Sequence, residues 1–451
     1  MDDPITTRAR EIAKHETETL LERTPRSAEL YERAVKSMPL GVASSFQAND
    51  PYPIYVREGR GSRVWDVDGH EYVDFHNGFG TMAVGHAHPK VVEAIERAAR
   101  TGTHFAATTE TTVSFAEELC RRFRFDTVRF TNSGTEATMD AVRLARGVTG
   151  RNTVVKIEGS YHGHHDTLMF SVVTNAEAMG GRDQPASTPM SRGIPAEVAK
   201  RTLVVPFNDA AALERLLAER GDEIACLIME PVMMNIGIVL PQPGYLEAVR
   251  AACSAAGVVL IFDEVKSGAT IAPGGAAERF GVRPDLTCLA KAIGGGVPCG
   301  AFGGNEEMMD EIGRGVAQQG TFNGNPLAAA AGLAALTEVL VPEAYEHLAR
   351  LGARLAGGCR EAIQRYDIPA HAIDLGCKGC VSYRPEQLSD YRDFLECNVA
   401  LFEACWPWVV NRGVFMTPGD EEQWTISVQH DEADVDRYVE AFAEFCEALT
   451  E

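Results

Sequence analysis

Between about residues 128 and 262, short unbroken apolar runs alternate with stretches whose apolar positions recur every three or four residues. The runs at 128–131, 153–157, 225–229 and 258–262 lack the in-out alternation of a half-exposed sheet, which predicts strands buried on both faces. Between the first two, 136–146 puts Ala137, Ala141, Leu144 and Ala145 on one helical face. Strand, helix, strand in repetition predicts an α/β fold with a mostly parallel sheet wrapped by helices. After about 328 the pattern turns to long helices, interrupted by strand-like segments at 380–383 and 424–428. The last helix carries Val435, Tyr438, Val439, Phe442, Cys446 and Leu449 at helical spacing. Near the start, Leu30, Tyr31, Ala34, Val35 and Met38 predict an amphipathic helix that Pro39 stops. The expected organisation is an arm over 1–60, a large domain over 61–330 and a smaller α+β domain over 331–451, the arm contributing to the smaller domain. A polar stretch at 174–200, rich in Gly, Pro, Ser and Met, has no period and exceeds an ordinary connection, so it reads as a lid or a disordered segment, with a lid over the site as the working expectation.

Charge narrows the partners. Lys and Arg number 42 against 64 for Asp and Glu, a net charge of −22 that repels nucleic acid and anionic membranes. No apolar run approaches the ~20 residues of a membrane span, and the start of the chain lacks the pattern of a secretory signal. The expectation is a cytoplasmic protein. Its 11 cysteines suit reduced thiols better than a disulfide framework. Cys377 and Cys380 form one CxxC without a second pair or a His pair at zinc spacing, which favours buried thiols over a metal or redox site.

In a parallel sheet the crevice lies beyond the carboxyl ends of the strands, so polar residues that follow apolar runs come first. Four such places occur. TNSGTEA at 131–137 leads from strand to helix, and its backbone N–H groups with Ser133 and Thr135 suit a phosphate; a plain N-cap is the alternative. Asp263 follows five apolar residues, and a carboxylate there needs a buried cation such as a protonated pyridine nitrogen. Lys291 sits between an apolar run and three glycines, where partial burial frees an amine to form a Schiff base; a snorkelling surface lysine is the alternative. In GSYHGHHD at 159–166, Tyr161 can stack on a ring, while the crowded His162, His164 and His165 lack the carboxylates of a metal site. Together these features fit one cofactor, pyridoxal 5′-phosphate. A dinucleotide fingerprint at 78–83 fails because no helix pattern comes after it, and there is no P-loop sequence.

These residues resemble the class III aminotransferases, pyridoxal-phosphate enzymes of fold type I, and most closely their glutamate-1-semialdehyde aminomutase-like branch. The resemblance runs from about 38 to 449 through VWDVDGHEYVDF, VGHAHP, RFTNSGTEA, GSYHGHHD, MEPV, IFDEV, PDLTCLAKAIGGGVPCGAFGG and GTFNGNPLA, in order. It implies Lys291 as the Schiff-base lysine and proton shuttle, Asp263 as the partner of the pyridine nitrogen, Val265 beneath the ring and Tyr161 stacked on it. It implies Ser133, Gly134 and Thr135 as the phosphate cradle, and Glu230 and Asn235 near the phenolic oxygen and the aspartate. His162 belongs to the same implied set, with packing as the other reading. Thr321 resembles a phosphate ligand donated by a neighbouring subunit, which implies a homodimer with shared sites. Phe79 resembles an aromatic residue lining the substrate pocket.

Two departures bear on the substrate. Where the aminomutases carry SPVR, this chain reads Ser44-Ser45-Phe46-Gln47, so the arginine that clamps a carboxylate is Gln47. After DEV it reads Lys266-Ser267-Gly268-Ala269-Thr270, and a second arginine is absent. Lys266, Arg63 and Arg412 are candidate substitutes. The reading is amino transfer between an amine or amino-acid donor and a keto or aldehyde acceptor, with Phe46, Gln47 and Phe79 at the substrate. Intramolecular aminomutase action is the alternative, followed by a racemase or epimerase and a silent binding relative.

Overall fold

The computed structural model describes residues 3–172, 176–419 and 423–451. Its central sheet contains β1 (Thr127–Thr131), β2 (Thr153–Ile157), β3 (Thr202–Val205), β4 (Ile224–Met229), β5 (Val259–Asp263), β6 (Leu286–Ala290) and β7 (Gly300–Gly304). They lie in the order β1-β7-β6-β5-β4-β2-β3. β7 runs antiparallel to β6 and β1, and the other pairings are parallel. All residues of β2, β4, β5 and β6 are buried, as uninterrupted apolar runs require. β1 departs from that expectation: it closes one edge of the sheet on β7, and Thr127 and Arg129 are exposed.

Of two helices, one is unexpected from the apolar pattern and one expected. α1 (Pro4–Arg23) goes beyond what the apolar pattern predicts, although Asp3 and Pro4 form a cap-and-first-turn pair and Ala9, Ile12 and Leu20 fall on one buried stripe. Arg8 Nε donates to Ala448 O at 2.9 Å and Asn398 Nδ2 to Thr6 Oγ1 at 2.7 Å, so α1 packs on the C-terminal region. α2 (Gly134–Thr149) contains the expected 136–146 helix and buries Ala137, Ala141, Leu144 and Ala145. The helix expected around Leu30 spans Pro25–Ala34; beyond it i→i+3 bonds tighten the chain, and Val35 is exposed.

A second sheet joins Val56–Arg60, Arg63–Asp66 and Glu71–Asp74 to the distant Val414–Phe415, which runs parallel to Glu71–Asp74. Phe75 N and His76 N both donate to Phe415 O, and Thr425 N donates to Phe75 O at 2.7 Å. A third sheet contains His371–Asp374, Lys378–Ser382 and Trp424–Thr425.

The 174–200 stretch corrects the lid reading. Residues 174 and 175 lie outside the described residues. From 176 onward it is pinned: Arg182 forks onto Asp390 at 2.9 and 2.7 Å and reaches Asp393 at 2.6 Å, while Arg392 bonds the carbonyls of Met179 and Gly180 at 3.1 Å. None of its described residues lines the cavity at the carboxyl ends of the central strands. Cys377 and Cys380 are free and buried; burial pushes their thiols up to about 11 and about 12. Among the described residues no single helix is long and apolar enough to cross a membrane.

Candidate active site

The carboxyl ends of β1, β2, β4, β5 and β6 open into one cavity of about 470 Å3. Asp263, the last residue of β5, is 5 % exposed and has both oxygens in use. Oδ1 accepts from Val265 N at 3.0 Å, and Oδ2 lies 2.7 Å from His162 Nδ1. His162 is buried, its Nε2 is 2.9 Å from Ser160 Oγ, and its carbonyl accepts from Thr138 Oγ1 at 2.6 Å. The structure therefore brings His162 to Asp263 as a brace from behind. Neighbouring Glu264 points the other way, accepting from Ala277 N at 3.0 Å and Ser267 Oγ at 3.0 Å, and burial pushes its carboxyl up to about 7.

Lys291 comes directly after β6, with φ at 54°. Its Nζ donates to Phe79 O at 3.0 Å and lies 5.9 Å from the centre of the Phe79 ring. Phe79 belongs to a turn in which Asn77, Gly78, Phe79 and Gly80 all have φ between 46° and 81°. Left-handed backbone is cheap for glycine and tolerable for asparagine, but costs a bulky residue energy, so the turn stores strain at Phe79. Asn77 Nδ2 holds it by donating to Asp74 O and Thr425 O at 2.7 Å.

Ser133, Gly134 and Thr135 line the cavity where α2 begins. Ser133 Oγ accepts from Glu136 N at 3.2 Å, so its hydroxyl does cap the helix. The leading N–H groups of a helix lack intrahelical acceptors and favour an anion. A Cβ on Gly134 would stand 2.8 Å from Val265 Cγ2, so the space over that turn exists because the residue is glycine. On the other wall, Glu230 accepts from Tyr161 N at 3.0 Å and Met234 N at 2.9 Å, and burial raises its pKa. Asn235, Val265 and Tyr161 also face the cavity, and burial pushes the Tyr161 hydroxyl up.

Phe46, Gln47 and Phe79 also line the cavity, and the Phe46 ring is half exposed. The Phe46 ring meets Tyr161 edge-on at 5.4 Å and Phe79 at 6.1 Å. Gln47 Oε1 accepts from Ser44 N at 3.1 Å. Thr321 is exposed and does not line this chain's cavity. Of the candidate substitutes for arginine, Arg63 is bound to Glu71 and Asp434, and Arg412 to Glu16 and Glu444. Neither is brought to the cavity; Lys266 is, and its Nζ donates to Met234 O at 2.7 Å. Among the described lining residues the only lysines or arginines are Lys266 and Lys291.

Sequence reading missed Asn132, Thr81 and the 296–299 turn in the lining. It also missed Lys156, fully buried within β2, whose Nζ donates to Ser160 O at 2.7 Å and Phe170 O at 2.5 Å. Burial lowers its pKa to about 7, against the pull of Glu230 and Glu158. The signal was a lone charge inside TVVKI.

The family model described as aminotransferase class-III matches residues 45–380. The chain belongs to that family. A glutamate-1-semialdehyde 2,1-aminomutase from Desulfitobacterium hafniense is 39% identical over 430 residues, covering 94% of this chain and 98% of its own. Among solved structures, a glutamate-1-semialdehyde-aminomutase from Pseudomonas aeruginosa in complex with PMP superposes with a TM-score of 0.91 at 28% identity, covering 98% and 99% of the two chains. A transaminase with PLP bound gives 0.86 at 35% identity, covering 95% and 98%. The fold is that of the type I pyridoxal-phosphate transaminases, and pyridoxal 5′-phosphate is the cofactor of this class III chain. The residues present fit it: one cavity gathers a lysine, a buried carboxylate, a helix start cleared by Gly134 and an apolar residue at 265. The curated relatives favour the aminomutase alternative over transfer between two molecules.

Proposed function

We propose that this chain relocates an amino group within one substrate skeleton, as an aminomutase-type class III enzyme, and holds that substrate without an arginine clamp. The aminomutase relative matched along nearly its whole length carries the first half of this reading. The cavity lining, with Gln47 in place of arginine, carries the second.

Pyridoxal phosphate, when bound, supplies a ring that takes up the electron pair left as a substrate C–H bond breaks. In this assignment Ser133, Gly134 and Thr135 hold the phosphate, with Thr321 of a second copy in a homodimer. Val265 and Tyr161 would hold the ring, and Glu230 and Asn235 would lie near its phenolic oxygen. Asp263 holds the proton of the ring nitrogen, and the His162–Ser160 brace keeps that carboxylate from turning away. Lys291 Nζ, which donates to Phe79 O, would hold and move the proton taken from the substrate carbon. Phe46 and Phe79 would exclude water on their side of the cavity.

Transfer between two molecules is the second reading, favoured by the likeness to a transaminase and by the aromatic wall. One incubation separates them. Holoenzyme given a single amino-aldehyde forms the isomeric amino ketone as the accumulating product under the first reading. Accumulation of diamine and dicarbonyl in equal amounts, with no amino ketone, would replace it with the second.

A further inference from the structure

Lys156 stands inside the central sheet, between Val204 of β3 and Ile228 of β4, with no accessible surface, and it does not line the cavity. An ammonium there forfeits its hydration, which is why its pKa is lowered, and an apolar side chain would avoid that cost. What the charge secures is a loop. Lys156 Nζ donates to Ser160 O at 2.7 Å and to Phe170 O at 2.5 Å, so one side chain ties the two ends of 160–170 together. Within that loop lie Tyr161 and His162, which line the cavity. Ser160 O and Tyr161 N belong to one planar peptide unit. Lys156 holds its carbonyl, and Glu230 Oε1 accepts from its N–H at 3.0 Å, so the unit is gripped on opposite edges by an ammonium and a carboxylate. The tie continues toward the site. Ser160 Oγ gives its single proton to Ile157 O at 2.6 Å, so at its 2.9 Å contact with His162 Nε2 the hydroxyl accepts and the ring N–H donates. The other ring nitrogen reaches Asp263 Oδ2 at 2.7 Å.

We propose that Lys156 is a positioning residue of the active site: without reaching any reacting atom, it sets the Ser160–Tyr161 peptide so that the Tyr161 ring and the His162 brace keep one orientation toward the cofactor and Asp263. The inference rests on the assigned cofactor seat and not on whether the amino group moves within one molecule or between two. A peptide released at its carbonyl is free to turn, which lets the Tyr161 ring swing and loosens His162 from Asp263 while the sheet stays intact.

The test compares the unaltered holoenzyme with two variants. Lys156→Met keeps a chain of like reach up to the ammonium and removes its N–H groups. Val155→Ala weakens the core from the opposite face of β2 and leaves the ties of the loop in place. Circular dichroism of the visible cofactor band reads how the ring is held, equilibrium dialysis reads the dissociation constant of pyridoxal phosphate, and scanning calorimetry reads the fold. In Lys156→Met the dichroism per bound cofactor is expected to fall at least twofold and the dissociation constant to rise at least tenfold. In Val155→Ala only the unfolding temperature is expected to drop. Dichroism unchanged in Lys156→Met, or lost by both variants in step with their unfolding temperatures, overturns the inference. Hydrogen exchange in the unaltered holoenzyme decides the matter if Lys156→Met does not fold. The 160–170 segment is expected to exchange at least tenfold more slowly than the largely exposed 191–197, and equal rates overturn the inference. An unaltered protein without a visible dichroic band would instead remove the cofactor seat, and the inference with it.

Discussion

Asp263 shows how a buried carboxylate is held still. One oxygen is fixed by its own backbone turn and the other by His162, so under the proposed assignment a ring nitrogen would meet a group held in place. Its position was legible because a carboxylate straight after five apolar residues demands a reason, and Lys291 stood out on the same logic. Replacing Lys291 by Ala is expected to lower single-turnover proton transfer by roughly two to four orders of magnitude while the cofactor still binds, checked by rapid-mixing absorbance. In the cavity lining, Gln47 offers only neutral donors and its oxygen already caps Ser44. Gln47→Arg is expected to lower KM for a carboxylate-bearing semialdehyde roughly tenfold, about 1.5 kcal/mol of charge-assisted hydrogen bonding, read from initial-rate kinetics.

Among the elements, the proposed seat of the cofactor rests on the start of α2 and the loop after β2. Gly134→Ala puts a methyl 2.8 Å from Val265 Cγ2, and overpacking of that kind costs about 1–3 kcal/mol. The expected outcome is a cofactor dissociation constant raised about tenfold or more, measured by equilibrium dialysis, with the far-ultraviolet spectrum preserved. The loop after β2 hangs on Lys156, whose ammonium ties Ser160 O to Phe170 O beneath the His162 brace. That role was invisible beforehand, because hydrophobic patterning reads TVVKI as a strand and says nothing of what a buried lysine finds at its tip. The α1 helix escaped for a related reason. Its apolar stripe of Ala9, Ile12 and Leu20 is sparse, and it becomes a core face by packing mainly on the distant helix Val399–Asn411. The pinning of 176–200 by Arg182 was likewise unreadable, since Asp390 and Asp393 lie about two hundred residues away.

For the molecule as a whole, acid is the weak side. Burial lowers the pKa of His165 to about 3 and of His430 to about 4, far below the ~6.5 of an unfolded chain. Above pH ~6.5 both are neutral folded or unfolded, and their contribution is fully present. As pH falls below that value the unfolded chain takes up protons the folded one refuses, so stability declines until the folded groups titrate near 4 and 3. The unfolding temperature is expected to drop between pH 6.5 and 4.5, and His165→Phe to drop less steeply, by differential scanning calorimetry. Sequence patterning captured the parallel sheet and its carboxyl-end crevice because both arise from local order along the chain. It had no access to β7 inserting antiparallel, because β1 and β7 lie far apart in the chain, nor to Phe415 and Thr425 gripping the turn at 75–77 across more than three hundred residues. That grip constrains recombination. A chimera that took its C-terminal third from a relative would inherit backbone partners shaped for another pocket wall, so crossover points that keep 71–80 with 414–425 should be the ones that yield working hybrids.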